Sequence, residues 1–414
     1  MNRLIGVSLA YFLVLLDTTV LTVALPALGG SVAMRQWVVN GYTLAFAAFL
    51  LGGGALADRF GPLRVFRWGV TGFGVLSLAC AAAPDLWVLV VLRVLLGVAG
   101  AACLPSSLAL IGALYPDPKR RAKALGAWAA ITGVALAAGP VVGGVLVDLA
   151  GWRTVFLVNV PLAVLALLLA RGIPSTPNPR GIDWRTQLAA CAFLALLTDA
   201  ITSERLLSGI AALVVLTVFV LWERRSSAPT VPPRLVRAPG VAANLFAGAA
   251  VNFALSGALF TVTLALQRNL SPVQTGLAFL PLTLPTAFNP LVTSRIVAAR
   301  GPKPPVLCGL ALLTAGTVTL ALTVDAPYPL LALGLLLTGF GVSFSLPALV
   351  TGVVGSAPDG YAGTAGGLLN AIRQVGATVG VAAMGALVAA GAFGPAFAVA
   401  AAVCATAGIA LART

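Results

Sequence analysis

Apolar runs of about twenty residues recur along this whole chain, parted by short loops that hold most of its arginines. At 1.5 Å of rise per residue, such a run makes a helix of roughly 30 Å, the thickness of a bilayer's hydrocarbon core. The chain is 60% hydrophobic and 9% charged, with a mean hydropathy of +1.04. A soluble domain of 414 residues could not cover its outside with so little charge. In lipid every backbone N–H and C=O must be bonded within the protein, and a helix achieves this alone. The expectation is an all-α polytopic membrane protein.

Helices are expected near 4–28, 37–57, 65–83, 86–113, 122–147 and 154–171, then 186–201 and 206–222, then 241–267, 273–299, 305–323, 328–354, 362–391 and 393–412. That makes fourteen transmembrane helices. Met1-Asn2-Arg3 and the apolar run after it resemble a signal peptide, but the pattern continues past Asp17 to Leu28, so an uncleaved first span is expected. With both termini in the cytoplasm, the cytoplasmic ends and loops hold 19 of the 25 basic residues, among them Arg59, Arg64, Lys119, Arg120, Arg224 and Arg300. The outer loops hold Arg35, Arg153, Arg205 and Arg268. This is the positive-inside bias. It makes the net charge of +14 a topology signal and not a nucleic-acid surface.

Pro- and Arg-rich stretches flank the 186–222 pair. The organisation expected is a six-helix bundle over 1–173, a linker with two extra transmembrane helices over 174–240, and a second six-helix bundle over 241–414. Without the inserted hairpin, twelve spans remain in the same orientation. Paired halves around a site at the bilayer midplane are a transporter architecture.

There is no His, and the five Cys form no C-x-x-C pair, so no metal, cofactor or disulfide is expected. No G-x-S-x-G nucleophile and no nucleotide loop is present, and an enzyme is not expected. The excess of Arg over Lys, with abundant Ala and Gly, points to a GC-rich bacterial genome.

Several strings stand in order along the chain. They are Leu16-Asp17-Thr18-Thr19-Val20-x3-Ala24-Leu25-Pro26, Gly54-x-Leu56-Ala57-Asp58-Arg59-Phe60-Gly61-x2-Arg64, and Arg93-x3-Gly97-x2-Gly100. Next comes Gly133-x5-Gly139-Pro140-x2-Gly143-Gly144, followed by Gly151-Trp152-Arg153-Thr154 running on to Val158-Asn159-Val160-Pro161. Asp183-Trp184, Trp222-Glu223-Arg224-Arg225 and Asn370-x2-Arg373-Gln374-x-Gly376 complete the set. Together these resemble the major facilitator superfamily, in its fourteen-span drug:proton antiporter branch, over nearly the whole chain. Pro62 and Leu63 depart from the loop signature, where a basic residue is usual, and Leu96 replaces a commonly polar residue.

An ionisable side chain at mid-span is a functional candidate by default. Asp17 lies about 13 residues into the first span, roughly 20 Å from the inner face. Arg93 lies about 7 residues into a span that starts outside, roughly 10 Å from the outer face. The two share a depth, and the resemblance implies neighbouring helices. Asp17 is expected to take up and release the coupling proton, with Arg93 modulating it; the alternative is a static ion pair. Arg373 is also near mid-depth. Asn252, Asn289, Asn370 and Gln374 either line a cavity or make interhelical hydrogen bonds. Asn40 and Tyr42 are further cavity candidates, while Trp37 reads as an interfacial anchor.

The resemblance implies a cytoplasmic latch that includes Asp58, with Arg59 and Arg64 beside it. The residues Gly133, Gly139, Pro140, Gly143 and Gly144 read as a bendable, close-packed surface against the other half, so Gly143→Leu is expected to hold the halves apart. Asp17 is the one acid at mid-depth, which leaves the pathway neutral to positive. Neutral or acidic amphipathic cargo is expected, and poor handling of dications. The function expected is proton-coupled efflux of small amphipathic drugs or metabolites across a bacterial cytoplasmic membrane, by alternating access. Its partners would be substrate, protons and lipid, with no nucleic acid, and the protein a monomer. The alternatives are an importer or lipid flippase of the same fold, or a membrane sensor.

Overall fold

The computed structural model describes residues 2–173, 184–203, 205–225, 235, 238, 240–356 and 362–413. The described residues are helical almost throughout and contain no strand. The first half comprises α1 (Asn2–Ala24), α2 (Val32–Phe60), α3 (Pro62–Ala81), α4 (Leu86–Leu114), α5 (Pro118–Ala150), α6 (Thr154–Leu157) and α7 (Asn159–Leu169). Two helices follow, α8 (Trp184–Ser203) and α9 (Leu206–Arg225). The second half comprises α10 (Val241–Leu266), α11 (Pro272–Ala278), α12 (Leu280–Arg300), α13 (Lys303–Thr323), α14 (Tyr328–Gly355), α15 (Ala362–Ala389) and α16 (Phe393–Ala412). Among the described residues nine helices are long and apolar enough to cross a membrane, or ten if α11 and α12 count as one.

Local chemistry sets the helix ends. Ser31 accepts from the Met34 N–H and starts α2 five residues before the expected 37. Asp85 caps α4 through Val88 N–H at 2.9 Å, and Asp117 caps α5 through Arg120 N–H at 2.9 Å. Gly61, at φ +91°, turns the chain sharply between α2 and α3, a conformation that side chains resist.

Prolines set the breaks. A proline has no N–H for the carbonyl four residues earlier, and its ring crowds that carbonyl. Pro26 ends α1 at Ala24, where the sequence pattern runs on to Leu28. Pro161 leaves the carbonyl of Leu157 without its helical donor, and the expected 154–171 span divides there into α6 and α7. Pro281 does the same at Leu277, and α11 meets α12 at 43° instead of forming one straight helix over 273–299.

The buried apolar side chains form two large clusters. One is built mainly from α1–α7, the other mainly from α10–α16. A third, small cluster joins Leu44, Ala47 and Leu194, with Val375 packed against it. It lies where α8 packs on both α2 and α15. α9 packs on α8 and exposes Leu206, Leu207 and Leu213. The outside of the bundle is apolar, with Trp87, Leu149, Leu291 and Leu322 all well exposed. The inside holds Asp17, Gln36, Asn40, Arg93, Asn159 and Asn289. An apolar exterior around a polar interior suits lipid as the solvent.

α2 and α15 run antiparallel, with Gln36 beside Val381 and Thr43 beside Thr378, so both chain termini lie at one end of the bundle. The halves are joined towards the opposite, far end. There Gln36 Nε2 donates to the carbonyls of Val381 and Ala382, each at 3.0 Å. The Thr43 and Thr378 hydroxyls meet at 3.0 Å, and Gln267 Nε2 donates to the Val23 carbonyl at 2.7 Å. The Val273 N–H donates to Asp148 Oδ2 at 3.3 Å. A cavity of about 20 Å³, space for roughly one water, lies just inside these contacts; Thr18, Thr22, Thr43, Ser256 and Phe260 are among its walls.

Candidate functional site

Five helices converge on Asp17. Its carboxylate is ion-paired through Oδ2 to Arg93 Nη1, and each side chain is only 1% exposed. Asn159 Nδ2 donates to the other oxygen, Oδ1, at 2.9 Å, and also lies 3.3 Å from Ser77 Oγ. Arg93 Nε donates to the Val38 carbonyl at 3.1 Å. The guanidinium carbon sits 4.2 Å from the centroid of the Tyr42 ring and 5.9 Å from that of Phe156. The Tyr42 hydroxyl donates to the Val14 carbonyl at 3.3 Å.

The α6–α7 break makes part of this possible. It starts a new helix at Asn159, and the amide enters the bundle at the level of Asp17. Asn159 and Ser77 were not singled out in the sequence as site residues. A lone amide two residues before a proline in an apolar run was the signal for Asn159. The Asn159 Oδ1 atom is buried and has no hydrogen-bond partner among the described residues. Tyr42 stacks on Arg93 within the first half and is part of this network.

A second polar group surrounds Arg373 on α15. Its Nε donates to Asn252 Oδ1 at 3.2 Å and its Nη1 to Asn370 Oδ1 at 3.1 Å. Gln374 follows it, partly buried. Asn289 is elsewhere, donating to Ser343 Oγ at 2.9 Å between α12 and α14. Asn40 is buried, and neither of its amide atoms has a partner among the described residues.

The small residues of α5 divide between two neighbours. Gly139 lies against Thr19 and Gly143 against Val20, both on α1 of the same half. A Cβ on Gly143 would come within 3.0 Å of Val20 Cα. Gly144 faces the other half, where a Cβ would come within 2.8 Å of Val273 Cα. Pro140 lies against Gly276, and Gly133 is near the Thr286 carbonyl. The expectation is therefore corrected for Gly139 and Gly143, which seat α1 on α5; the contact between halves is made by Pro140 and by Gly144, next to Gly143. Neighbouring residues on a helix point about 100° apart, which separates the two glycines. At the termini end, Arg59 lies over the Phe60 ring and Arg64 is exposed. The Asp58 side chain lies outside the described residues.

The model of the Major Facilitator Superfamily matches residues 7–297 and 241–414. The chain belongs to the major facilitator superfamily. It is a multi-pass membrane protein of a transporter family, not an enzyme. The drug efflux pump JefA of Mycobacterium tuberculosis is 36% identical over 93% of this chain and 80% of its own length. The methylenomycin A resistance protein of Streptomyces coelicolor is 33% identical over 92% of this chain and 84% of its own. The puromycin resistance protein pur8 of Streptomyces alboniger is 36% identical over 92% and 80%. Among solved structures, a POT family transporter in complex with 5-aminolevulinic acid has a TM-score of 0.76 at 13% identity, covering 98% of this chain and 94% of its own. The human organic anion transporter MFSD10 (TETRAN) has a TM-score of 0.69 at 17% identity, covering 99% of each chain. At such identities these structures speak for the superfamily fold alone.

Proposed function

We propose that this superfamily member exports small amphipathic drugs or metabolites across a bacterial cytoplasmic membrane, driven by protons that enter through Asp17. The observation that carries the reading is the carboxylate itself: buried inside the first half, paired with Arg93, and held on its second oxygen by Asn159. The names of the relatives, which speak of drug efflux and antibiotic resistance, supply the direction of transport and the class of cargo.

The layout that suits this function has fourteen spans, with α6–α7 and α11–α12 each crossing once as a broken helix. Residues 1–173 and 241–414 are the two moving bundles, and 174–240 carries the inserted hairpin α8–α9. Both termini are cytoplasmic, which makes the far end the outer face and this conformation one closed to the outside. The protein acts as a monomer. In the opposite state the Asp58 latch closes the cytoplasmic side.

Coupling follows from charge. As a carboxylate, Asp17 holds Arg93, Asn159 and Val38 together, and so ties α1 to α2, α4 and α7. Protonation from the outer face removes the negative charge and weakens the tie to Arg93, and the bundle can then repack. The Asp17 proton leaves to the cytoplasm when the ion pair forms again. Uptake of a fluorescent amphipath into inverted vesicles tests the scheme. An imposed proton gradient is expected to drive uptake by the wild-type chain and not by Asp17→Asn at equal membrane abundance. Gradient-driven uptake by that variant at the wild-type rate would overturn it.

A further inference from the structure

Among the described residues two arginines sit at mid-span, Arg93 buried and Arg373 half-buried, and only Arg93 has a carboxylate. Arg93 is neutralised by Asp17. Arg373 meets the amide oxygens of Asn252 and Asn370, which orient its planar fork but carry no net charge. Among the described residues no acid pairs with it. A guanidinium cannot shed its proton to escape the cost of burial. Five N–H bonds radiate from it, and the two amides use one on Nε and one on Nη1, which leaves Nη2 for another acceptor.

The surroundings are those of a subsite. The Arg373 stem lies over Gly248 of α10, where a Cβ would come within 3.2 Å of its Cγ. Tyr11 of α1 lies on the other half at a similar depth: it is one turn towards the termini end from Val14, which accepts from Tyr42, as Arg373 is from Thr378, which meets Thr43. The Tyr11 ring stacks on Trp128 of α5, centroids 5.1 Å apart and planes within 8°. Trp128 is fixed in turn: its Nε1 donates to Ser107 Oγ at 3.0 Å, and that hydroxyl donates to the Val7 carbonyl at 2.9 Å. A fixed cation on one half and a fixed aromatic wall on the other thus share a depth in the bundle.

We propose that Arg373 binds an anionic group of the cargo, a carboxylate carried on a flat aromatic body, and that the Tyr11–Trp128 wall receives that body. The carboxylate neutralises a charge that no acid among the described residues pairs with, through short charge-assisted hydrogen bonds. Because ligand bridges the halves, its binding and release are linked to their rocking. This deepens the export reading and rests on it for the role of the site, but binding can be measured without transport.

The test uses the purified full-length transporter and two probes, 2-naphthoate and its uncharged methyl ester, with affinities read from ligand fluorescence. The wild-type chain is expected to bind the acid about tenfold more tightly than the ester, the scale of one charge-assisted pair. Arg373→Gln is expected to bring that ratio close to one, and Arg373→Lys to keep part of it. A wild-type ratio of one or less overturns the proposal. So does an Arg373→Gln variant in which both probes weaken together, because a merely structural arginine would do that. If both probes bind as expected but no proton gradient moves either in proteoliposomes, the export reading falls while the subsite stands.

Discussion

Asp17 and Arg93 illustrate why a buried ion pair is a poor stabiliser and a demanding one. Each ion lost its water on folding, and the pair repays this only because Asn159, Val38 and Tyr42 take up the remaining valences. Removing one partner strands the other. Arg93→Met is expected to cost roughly 3–5 kcal/mol of stability, read as a fall in the thermal unfolding midpoint of the detergent-purified protein. Adding Asp17→Asn to Arg93→Met is expected to restore most of that loss, because no charge is then left unpaired. If the double variant is the less stable of the two, the account of the pair is wrong. Asn159→Leu removes the donor to Asp17 Oδ1 and is expected to cost about 1–3 kcal/mol in the same assay. The residues of the pair were legible in the sequence because acids are scarce and the rise of a helix converts position into depth. Asn159 was not, because its place depends on the break made by Pro161.

At the scale of elements, α5 is the helix with two jobs. One row of small residues seats it on α1, and the next row lets it touch α11. Gly143→Leu is expected to wedge α1 from α5 and lower the unfolding temperature. Gly144→Leu is expected to leave the unfolding temperature closer to wild type but abolish vesicle uptake, since it drives α5 away from Pro272 and Val273 at the seam. Equal effects of the two substitutions on stability and on uptake would refute the division. The Gly-Pro run identified a close-packed helix from the sequence alone. Which glycine faced which helix depends on rotation about the helix axis, and periodicity leaves that open when every side of the helix is apolar or small.

Across the whole molecule, the far-end seam holds the conformation seen. Its polar contacts are few, and Gln36 alone spans to two carbonyls of α15. Such bonds contribute about 1 kcal/mol each, enough to bias two states of similar energy and small enough to be undone by substrate or a proton. Gln36→Ala is expected to open the far end more often. In a background without the native cysteines, the cavity residue Ser256, changed to Cys, is then expected to react several-fold faster with a thiol reagent added from the outer face. An unchanged rate would place the closure elsewhere, in the apolar contacts of Val23, Phe260 and Leu264.

The sequence by itself determined that this chain is helical and membrane-embedded, that Asp17, Arg93 and Arg373 fall within its long apolar helices, and which strings mark its superfamily. Those properties depend on composition, on 1.5 Å of rise per residue, and on the cost of polar groups in lipid, all of which are local. Only the tertiary structure decided that Arg93 has a carboxylate and Arg373 has amides, that Asn159 reaches Asp17, and that Gly143 and Gly144 touch different helices. Partnership between side chains on separate helices depends on which faces meet. In a bundle apolar on nearly every face, that choice is made by packing and by the need to satisfy each buried polar group, not by any pattern within one helix.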